Sequence, residues 1–192
     1  MKTLLFAVML LFSGHVFADN ASPLDEAAAR AGLSTRPPRN PTKSNSPIVS
    51  RIYERNPEKG LDVEIIHRKD RTTEERPFVS LPILFVVGKD ELLDETSRSN
   101  LVKMAAILKE LCEGERAEFT IQGHTSAEGG ELENLRLSEA RAARIRAELV
   151  AHGVSSARIS ALGLGESAAR FPETASETML QQDRRVLVVR QK

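Results

Sequence analysis

Residues that support several common functions are scarce in this 192-residue sequence, which has one cysteine, no tryptophan and no net charge. The lone Cys112 excludes an intramolecular disulfide and a cysteine metal cluster. The histidines that remain after residue 18, His67, His124 and His152, do not show metal-ligand spacing. Balanced charge, with 27 basic and 27 acidic residues, and few aromatic side chains argue against nucleic-acid binding. We therefore expect no metal, no cofactor and no nucleic-acid partner.

The sequence also lacks an apolar run long enough to cross a bilayer, which requires about 20 residues. Its most apolar run, residues 3–12, is preceded by the positive charge of Lys2. Val16-Phe17-Ala18 then fits the small-residue pattern of a cleavage site. These features predict a secretory signal peptide over residues 1–18, no membrane-spanning segment after cleavage, and a periplasmic location for the mature chain.

Residues 19–58 are poor in apolar side chains and contain four prolines between residues 37 and 47. A short helix is predicted to start near Ser22 and to stop at Gly32. The rest cannot bury enough apolar area to offset the entropy of ordering it. We therefore predict a disordered, proline-rich tether, which could reach a protein partner in the envelope or the outer membrane.

The segment 59–77 begins with an alternation of Leu61, Val63 and Ile65 against mostly polar neighbours, which is typical of a half-exposed strand. A polar turn follows at residues 69–72. Together these features predict a hairpin that is added in front of the main domain.

The main domain is predicted to span residues 78–192 and to begin with a central strand at 83–87, since Pro82 cannot donate to a strand ladder. A helix follows at about 95–112, then a strand at 117–122 and a second helix that ends at about 152. Two more strands are predicted at 158–163 and 185–190. Ser97 or Ser99 is the predicted cap of the first helix. This βαβαββ order predicts an α/β (α+β) sandwich, in which two helices cover one face of a mixed sheet of about four strands.

The second helix carries an arginine where its apolar stripe predicts an apolar residue. Arg141 lies four residues after Leu137 and four before Ile145, so all three share one helix face. Asn134 and Ser138 face the same way, and the three polar residues could line a small pocket that accepts an anion. The alternative is an arginine that reaches from a half-buried stripe to solvent.

Several motifs of the main domain occur in the order found in one family. They are Gly123-His124-Thr125-Ser126, then Asn134 with Leu137-Ser138 and Arg141-Ala142, then Arg158-Ile159-Ser160 and residues 163–167, then Asp183-Arg184-Arg185-Val186. This order resembles the C-terminal domain of the OmpA family, which includes outer-membrane protein A, the peptidoglycan-associated lipoprotein and the flagellar stator protein MotB. Since residues 19–58 are too short and polar for the barrel of the porins in that family, a stand-alone domain is expected.

The resemblance implies non-covalent binding of peptidoglycan, through the diaminopimelate residue of its stem peptide. Carried over by position, the family's loop aspartate corresponds to Ser126 and its helix arginine to Arg141. Ser126 departs from the family pattern and supplies no charge for the ligand ammonium, so Glu128 is a candidate replacement. Neutral hydrogen bonds could come from Thr125 and Asn134. The candidate binding residues are thus Thr125, Ser126, Glu128, Asn134, Ser138, Arg141 and Arg184.

Two other functions are compatible with the same residues. His124 and Ser126 could form a nucleophile pair, but the sequence marks neither an orienting acid nor an oxyanion hole, so we expect no enzyme. The domain could instead be a structural, protein-binding subunit of an envelope complex that has lost the peptidoglycan ligand.

Overall fold

The structure is a computed structural model that describes residues 21–37 and 45–191. The predicted signal peptide, residues 1–18, lies outside the described residues. The elements in chain order are α1 (Glu26–Ser34), β1 (Ile48–Asn56), β2 (Leu61–Arg68), β3 (Thr73–Leu81), α2 (Glu95–Gly114), β4 (Phe119–Gly123), α3 (Glu131–Ala151), β5 (Ile159–Gly163), α4 (Glu177–Asp183) and β6 (Val186–Arg190).

The strands form one mixed sheet in the order β1-β2-β3-β6-β4-β5. β4 and β5 run parallel, as a strand–helix–strand unit requires, and β6 lies antiparallel between β3 and β4. Helices α1, α2 and α3 share one apolar core with the sheet. The predicted α/β sandwich is confirmed, although the sheet has six strands rather than about four, because β1 and β2 extend it.

Helix α2 begins one turn before the predicted capping serines. The carboxylate of Asp94 accepts a hydrogen bond from the Ser97 amide at 2.7 Å, so Asp94 is the N-cap residue. The Ser97 hydroxyl accepts a hydrogen bond from the Leu84 amide at 2.9 Å instead. The prediction of Ser97 or Ser99 as the cap was therefore wrong, and Ser97 ties the start of α2 to the segment after β3.

The prediction of a central strand at residues 83–87 was also wrong. The strand that pairs with β6 is β3, which ends at Leu81, directly before Pro82. Pro82 has no N–H to donate, so it ends the ladder rather than preceding it. The next residues turn back on themselves in a small hairpin, where Phe85 bridges Leu92 and Val86 donates to the Glu91 carbonyl.

Two ordered elements lie inside the stretch predicted as a tether. The first, α1, confirms the short helix predicted there, whereas the second, β1, shows that the prediction of disorder was wrong for residues 48–56. Ala29 and Leu33 give α1 a buried apolar side that packs on α2 and β3, and Leu24, just before the helix, is buried with them. Asn100 on α2 holds the chain before α1, since it accepts from the Leu24 amide and donates to the Ser22 carbonyl. The buried apolar area and the hydrogen bonds to Asn100 offset the entropy cost of ordering this segment, although its composition alone did not indicate that they would.

The second ordered element, β1, joins the expected hairpin. β2 and β3 pair antiparallel across the polar turn, and β1 pairs with the outer side of β2. The result is a three-stranded antiparallel extension of the sheet, of which β3 is the strand that continues into the main domain.

This extension curls over the face of the sheet opposite the helices. Glu64 on β2 and Gln122 on β4 are separated by two intervening strands, which in a flat sheet would hold their chains about 14 Å apart. Their side chains nevertheless form a hydrogen bond of 3.0 Å. A second, small core of Phe78, Leu187 and Val189 lies between the two curled halves.

Two glycines allow α3 to lie close to the sheet edge. A Cβ atom at Gly123 would come within 2.3 Å of the Ser138 carbonyl oxygen, and one at Gly163 within 2.4 Å of the Glu139 amide. Only glycine fits such an approach. The ends of β4 and β5 are thereby brought against the first half of α3. Among the described residues, no helix has both the length and the apolar character that spanning a membrane requires.

Candidate functional site

A cavity of about 400 Å³ opens where β4 ends and β6 begins. Its walls come from the hairpin after β3, the loop after β4, the first half of α3, and α4 with the two residues that follow it. Six of the seven candidate residues line this cavity, and Ser138 does not. Sequence reasoning therefore identified residues from three separate parts of the chain that the fold brings together, and it placed one residue, Ser138, in a cavity that this residue does not line.

Ser138 serves the backbone instead of the cavity. It is fully buried, its hydroxyl donates to the Leu135 carbonyl at 2.7 Å, and it accepts from the Gly165 amide at 2.8 Å. The prediction placed it on the polar face with Arg141, but the close approach of α3 to the sheet turns that position toward the loop after β5. Ser138 thus fixes this loop against α3.

Arg141 is a buried cation that forms no ion pair with a carboxylate among the described residues, although the charge of Asp90 acts on it from a distance. The residue is 8% exposed, its Nε donates to the Lys89 carbonyl at 2.9 Å, and its guanidinium lies 4.8 Å from the centre of the Phe85 ring. Burial, together with the charge of Arg184, lowers the pKa of Arg141 to about 10. The side chain is therefore still protonated at neutral pH, and an anion that entered the cavity would offset the cost of its burial.

Arg184 lies on another wall and is surrounded by acids. Its Nη2 atom is 2.5 Å from Glu128, and Nη1 bonds Glu177 and, at 3.1 Å, Gln181. The hydrogen bond from Arg184 lowers the pKa of the Glu177 carboxyl. Because two carboxylates share one guanidinium, this cluster carries one net negative charge.

The position of the family aspartate is filled by a serine that bonds to this cluster. The Ser126 hydroxyl donates to Glu128 at 3.1 Å and accepts from Arg184 Nε at 3.2 Å. Glu128 has therefore turned back toward the side chain two residues before it. A carboxylate is thus present beside residue 126, although residue 126 itself has none.

Asn134 holds the loop that carries these groups. Its side-chain amide donates to the Glu128 carbonyl at 2.8 Å and to the Glu166 carboxylate at 2.5 Å. It connects α3 with the loops after β4 and β5, and it also lines the cavity. Its contribution is mainly to position the loop.

His124 and Thr125 lie at the inner end of the cavity. Their backbone amides donate to Arg185 and Gly165, at 3.0 Å each, while neither side chain has a hydrogen-bond partner among the described residues. Burial, followed by the charges of Arg185 and Arg51, lowers the pKa of His124 to about 3, so its ring is neutral. The Ser126 hydroxyl bonds Glu128 and Arg184 rather than this ring, so the Ser–His nucleophile pair is not assembled.

Sequence reasoning missed Phe85, Glu177 and Gln181. Phe85 was assigned to a strand, and only the hairpin after β3 places its ring beneath Arg141. Glu177 precedes Arg184 by seven residues, and the short helix α4 brings the two side chains together. The spacing of seven residues was the available signal, but sequence reasoning predicted no more than a single helical turn between residues 163 and 185, so the spacing was not used.

The fold and the site define a class: an α/β sandwich domain whose pocket holds a buried cation and a net-negative cluster. Such a pocket suits a small ligand with both charges. The OmpA family matches residues 84–184, slightly more than half of the 192 residues. The chain therefore belongs to the OmpA family, as the order of its motifs predicted.

Solved structures share this fold. The peptidoglycan-associated lipoprotein from Burkholderia pseudomallei is 27% identical, with a TM-score of 0.50 over 57% of this chain and 88% of that chain. The C-terminal domain of Helicobacter pylori MotB is 18% identical, with a TM-score of 0.52 over 59% and 84%. A MotB-like protein from Desulfovibrio vulgaris is 21% identical, with a TM-score of 0.50 over 76% and 81%. At these sequence identities, the MotB and MotB-like structures show a similarity of fold alone.

Proposed function

We propose that this protein binds peptidoglycan non-covalently by holding the zwitterionic end of diaminopimelate in the cavity. The observation that carries the proposal is Arg141, a buried and protonated guanidinium that forms no ion pair with a carboxylate among the described residues. Its Nε is used by the Lys89 carbonyl, which leaves the two Nη atoms for the ligand carboxylate. Two parallel charge-assisted hydrogen bonds would then form.

The ligand ammonium would be held by Glu128 and Glu177. Together they carry two negative charges against one positive charge on Arg184. The ammonium would bring the cluster to neutrality and share the carboxylate oxygens with Arg184. Glu128 thus takes the part of the missing aspartate, with Ser126 orienting it through their hydrogen bond.

The cellular setting follows from the proposed ligand. Peptidoglycan lies outside the cytoplasmic membrane, and residues 1–18 have the features of a secretory signal peptide. We infer that the mature domain works in the periplasm and ties itself, or an envelope partner, to the cell wall. Intact-mass measurement of the periplasmic fraction should find a chain that starts at Asp19.

Pelleting with purified peptidoglycan sacculi tests the proposal. The parent protein should pellet without releasing soluble sugars, and Arg141→Ala should remain in the supernatant, because one charged hydrogen bond is worth about 1.5–3 kcal/mol. Arg144→Ala is the matched control: it removes an exposed arginine from the same helix, paired to Glu148. Equal pelleting of both variants would contradict the assignment, and release of sugars would indicate an enzyme.

A titration with a diaminopimelate-containing muropeptide tests the acid. Glu128→Gln should weaken binding by about 1–3 kcal/mol, the cost of losing a charged partner. Ser126→Asp in that background should restore binding, because it returns a carboxylate to the loop. Parent-like binding by Glu128→Gln would remove Glu128 from the site.

A second candidate function is a structural subunit of an envelope complex that no longer binds peptidoglycan. The observation in its favour is that Arg184 already neutralises part of the Glu128 and Glu177 charge. If the parent does not pellet while Ser126→Asp alone does, the chain has kept the fold and lost the ligand. Partners would then be sought by cross-linking in the intact envelope.

A further inference from the structure

Tyr53 on β1 contacts two residues that line the cavity, one in the loop after β4 and one directly before β6. Its ring meets the His124 ring edge to face, with the ring centres 5.2 Å apart. The guanidinium of Arg185 lies 5.5 Å from the centre of the same ring. His124 directly precedes the Thr125-Ser126 wall, and Arg185 directly follows Arg184. Tyr53 therefore contacts the residue next to each of two cavity walls: His124 beside the 125–126 wall, and Arg185 beside Arg184.

The tyrosine is itself held in a fixed position. Its hydroxyl donates to Gln122 at 2.9 Å and lies 3.3 Å from Glu64, a fully buried carboxylate. Glu64 also accepts from Arg51 and from the Gln122 amide. Four residues of β1, β2 and β4 thus form one polar cluster that orients the ring, and the curl of the sheet brings them together.

His124, in contrast, depends on packing for the position of its ring. Neither ring nitrogen has a hydrogen-bond partner among the described residues, and the side chain is buried. Its backbone amide donates to the Arg185 carbonyl at 3.0 Å, so the loop after β4 and the residue before β6 are also joined directly. Without hydrogen bonds, the orientation of the His124 ring is set by the side chains that pack against it. The Tyr53 ring is one of these side chains.

We propose that Tyr53 is a positioning residue for the ligand site, which sets the placement of the 124–126 loop and of Arg184 through its contacts with His124 and Arg185. The inference rests on the proposed binding of diaminopimelate. It gives the strand extension a role in ligand affinity, because the residue that orients the site belongs to β1 rather than to the main domain.

Two substitutions separate the ring from its hydroxyl. Tyr53→Phe and Tyr53→Leu both remove the hydrogen bonds to Gln122 and Glu64, so both should lower the melting temperature, and Tyr53→Leu should lower it further because it also loses the ring contacts. Only Tyr53→Leu removes the aromatic contacts. In a muropeptide titration below both melting temperatures, Tyr53→Leu should bind about tenfold more weakly than Tyr53→Phe. Equal affinities of the two folded variants would overturn the proposal.

A second measurement does not require ligand. In amide NMR spectra, Tyr53→Leu should shift the signals of Ser126 and Arg184 relative to Tyr53→Phe, while Arg144 on the outer face of α3 should not move. If the parent fails to bind muropeptide, the proposed function is wrong, and these shifts still decide the positioning role. Unchanged Ser126 and Arg184 signals would overturn it.

The parent protein supplies a third test if Tyr53→Leu does not fold. The chain has one tyrosine and no tryptophan, so tyrosine emission comes from Tyr53 alone. A ligand that seats against the 124–126 loop should change this emission, with the same midpoint as binding measured by calorimetry. Emission that stays constant to saturation would contradict the proposal.

Discussion

The helix-covered face of the sheet and the face beneath the curled strands β1 and β2 are both buried, but by different kinds of side chain. The first is almost wholly apolar, with fully buried residues such as Leu108, Ile121 and Ile145. The second has a small apolar cluster around Phe78 beside a polar group that includes Glu64 and Gln122.

This difference assigns different tasks to the two faces. Apolar burial stabilises a fold in proportion to area and has no preferred direction. Hydrogen bonds and ring contacts within a low-dielectric interior do have direction, and a partly satisfied network is costly. The helix side therefore contributes most of the apolar burial that holds the sheet together, while the curled side contributes directional contacts, which we propose help to place the groups of the cavity.

The largest effect is expected from Leu108→Ala on α2. Leu108 is fully buried in the apolar core, so its truncation should lower the free energy of unfolding by about 2–5 kcal/mol. Urea denaturation measures the loss. Muropeptide affinity of the folded protein should stay unchanged, because α2 does not line the cavity. A large loss of affinity in the folded state would break the division between the faces.

The next effect concerns pH and His124. Its pKa is about 3 in the folded state, against an ordinary 6.5. Between these two values, His124 is protonated in the unfolded chain and neutral in the folded one. Stability should therefore fall with pH between about 6.5 and 3, by about 1.4 kcal/mol per pH unit. In His124→Phe, which keeps a ring beside Tyr53, this part of the slope should vanish.

The comparison of denaturation curves at several pH values isolates this single group. His67, His152 and the carboxyl groups are the same in parent and variant, so their contributions cancel in the difference. Parallel pH profiles would show that His124 titrates normally and is not held neutral by burial.

A smaller effect of opposite sign is expected at Arg141. Burial disfavours its charge, so Arg141→Met should raise the free energy of unfolding by about 1 kcal/mol while sacculus binding is lost. Thermal melting and pelleting of the same preparation test both halves. A variant that loses stability as well as binding would mean that the arginine supports the fold.

The smallest effect is expected at Arg144, whose pair with Glu148 is solvent-exposed. Surface pairs of this spacing contribute about 0.3–0.5 kcal/mol. Arg144→Ala should therefore change the urea midpoint only slightly and leave pelleting intact. A change as large as that of Leu108→Ala would mean that α3 is stabilised from its outer face.

The elements of the main domain could be predicted where one periodicity governs a stretch. α3 carries its stripe from Leu137 to Leu149, and β6 is a run of valine and leucine. β1 could not be predicted in this way, because Arg51 and Tyr53 suggest an exposed polar stretch. They face inward only because the sheet curls, and curling depends on contacts between distant strands rather than on local pattern.

The site divides along the same lines. Arg141 was identified because it interrupts an apolar stripe, which is a local anomaly. Glu177 and Phe85 contribute through a short helix and a small hairpin, and neither is marked by composition. Ser138 was misassigned because helical spacing gives the face of a side chain but not the depth to which the helix packs.

The order of the strands has a consequence for how the chain is made. β6 is the last strand in sequence, yet it lies between β3 and β4, and all of its residues are buried. Until residues 186–190 are free to pair, β3 and β4 each lack one neighbour. Open apolar strand edges are the places where nascent chains aggregate. A chain halted before residue 186 should therefore need a chaperone, whereas one completed beyond it can close its own sheet.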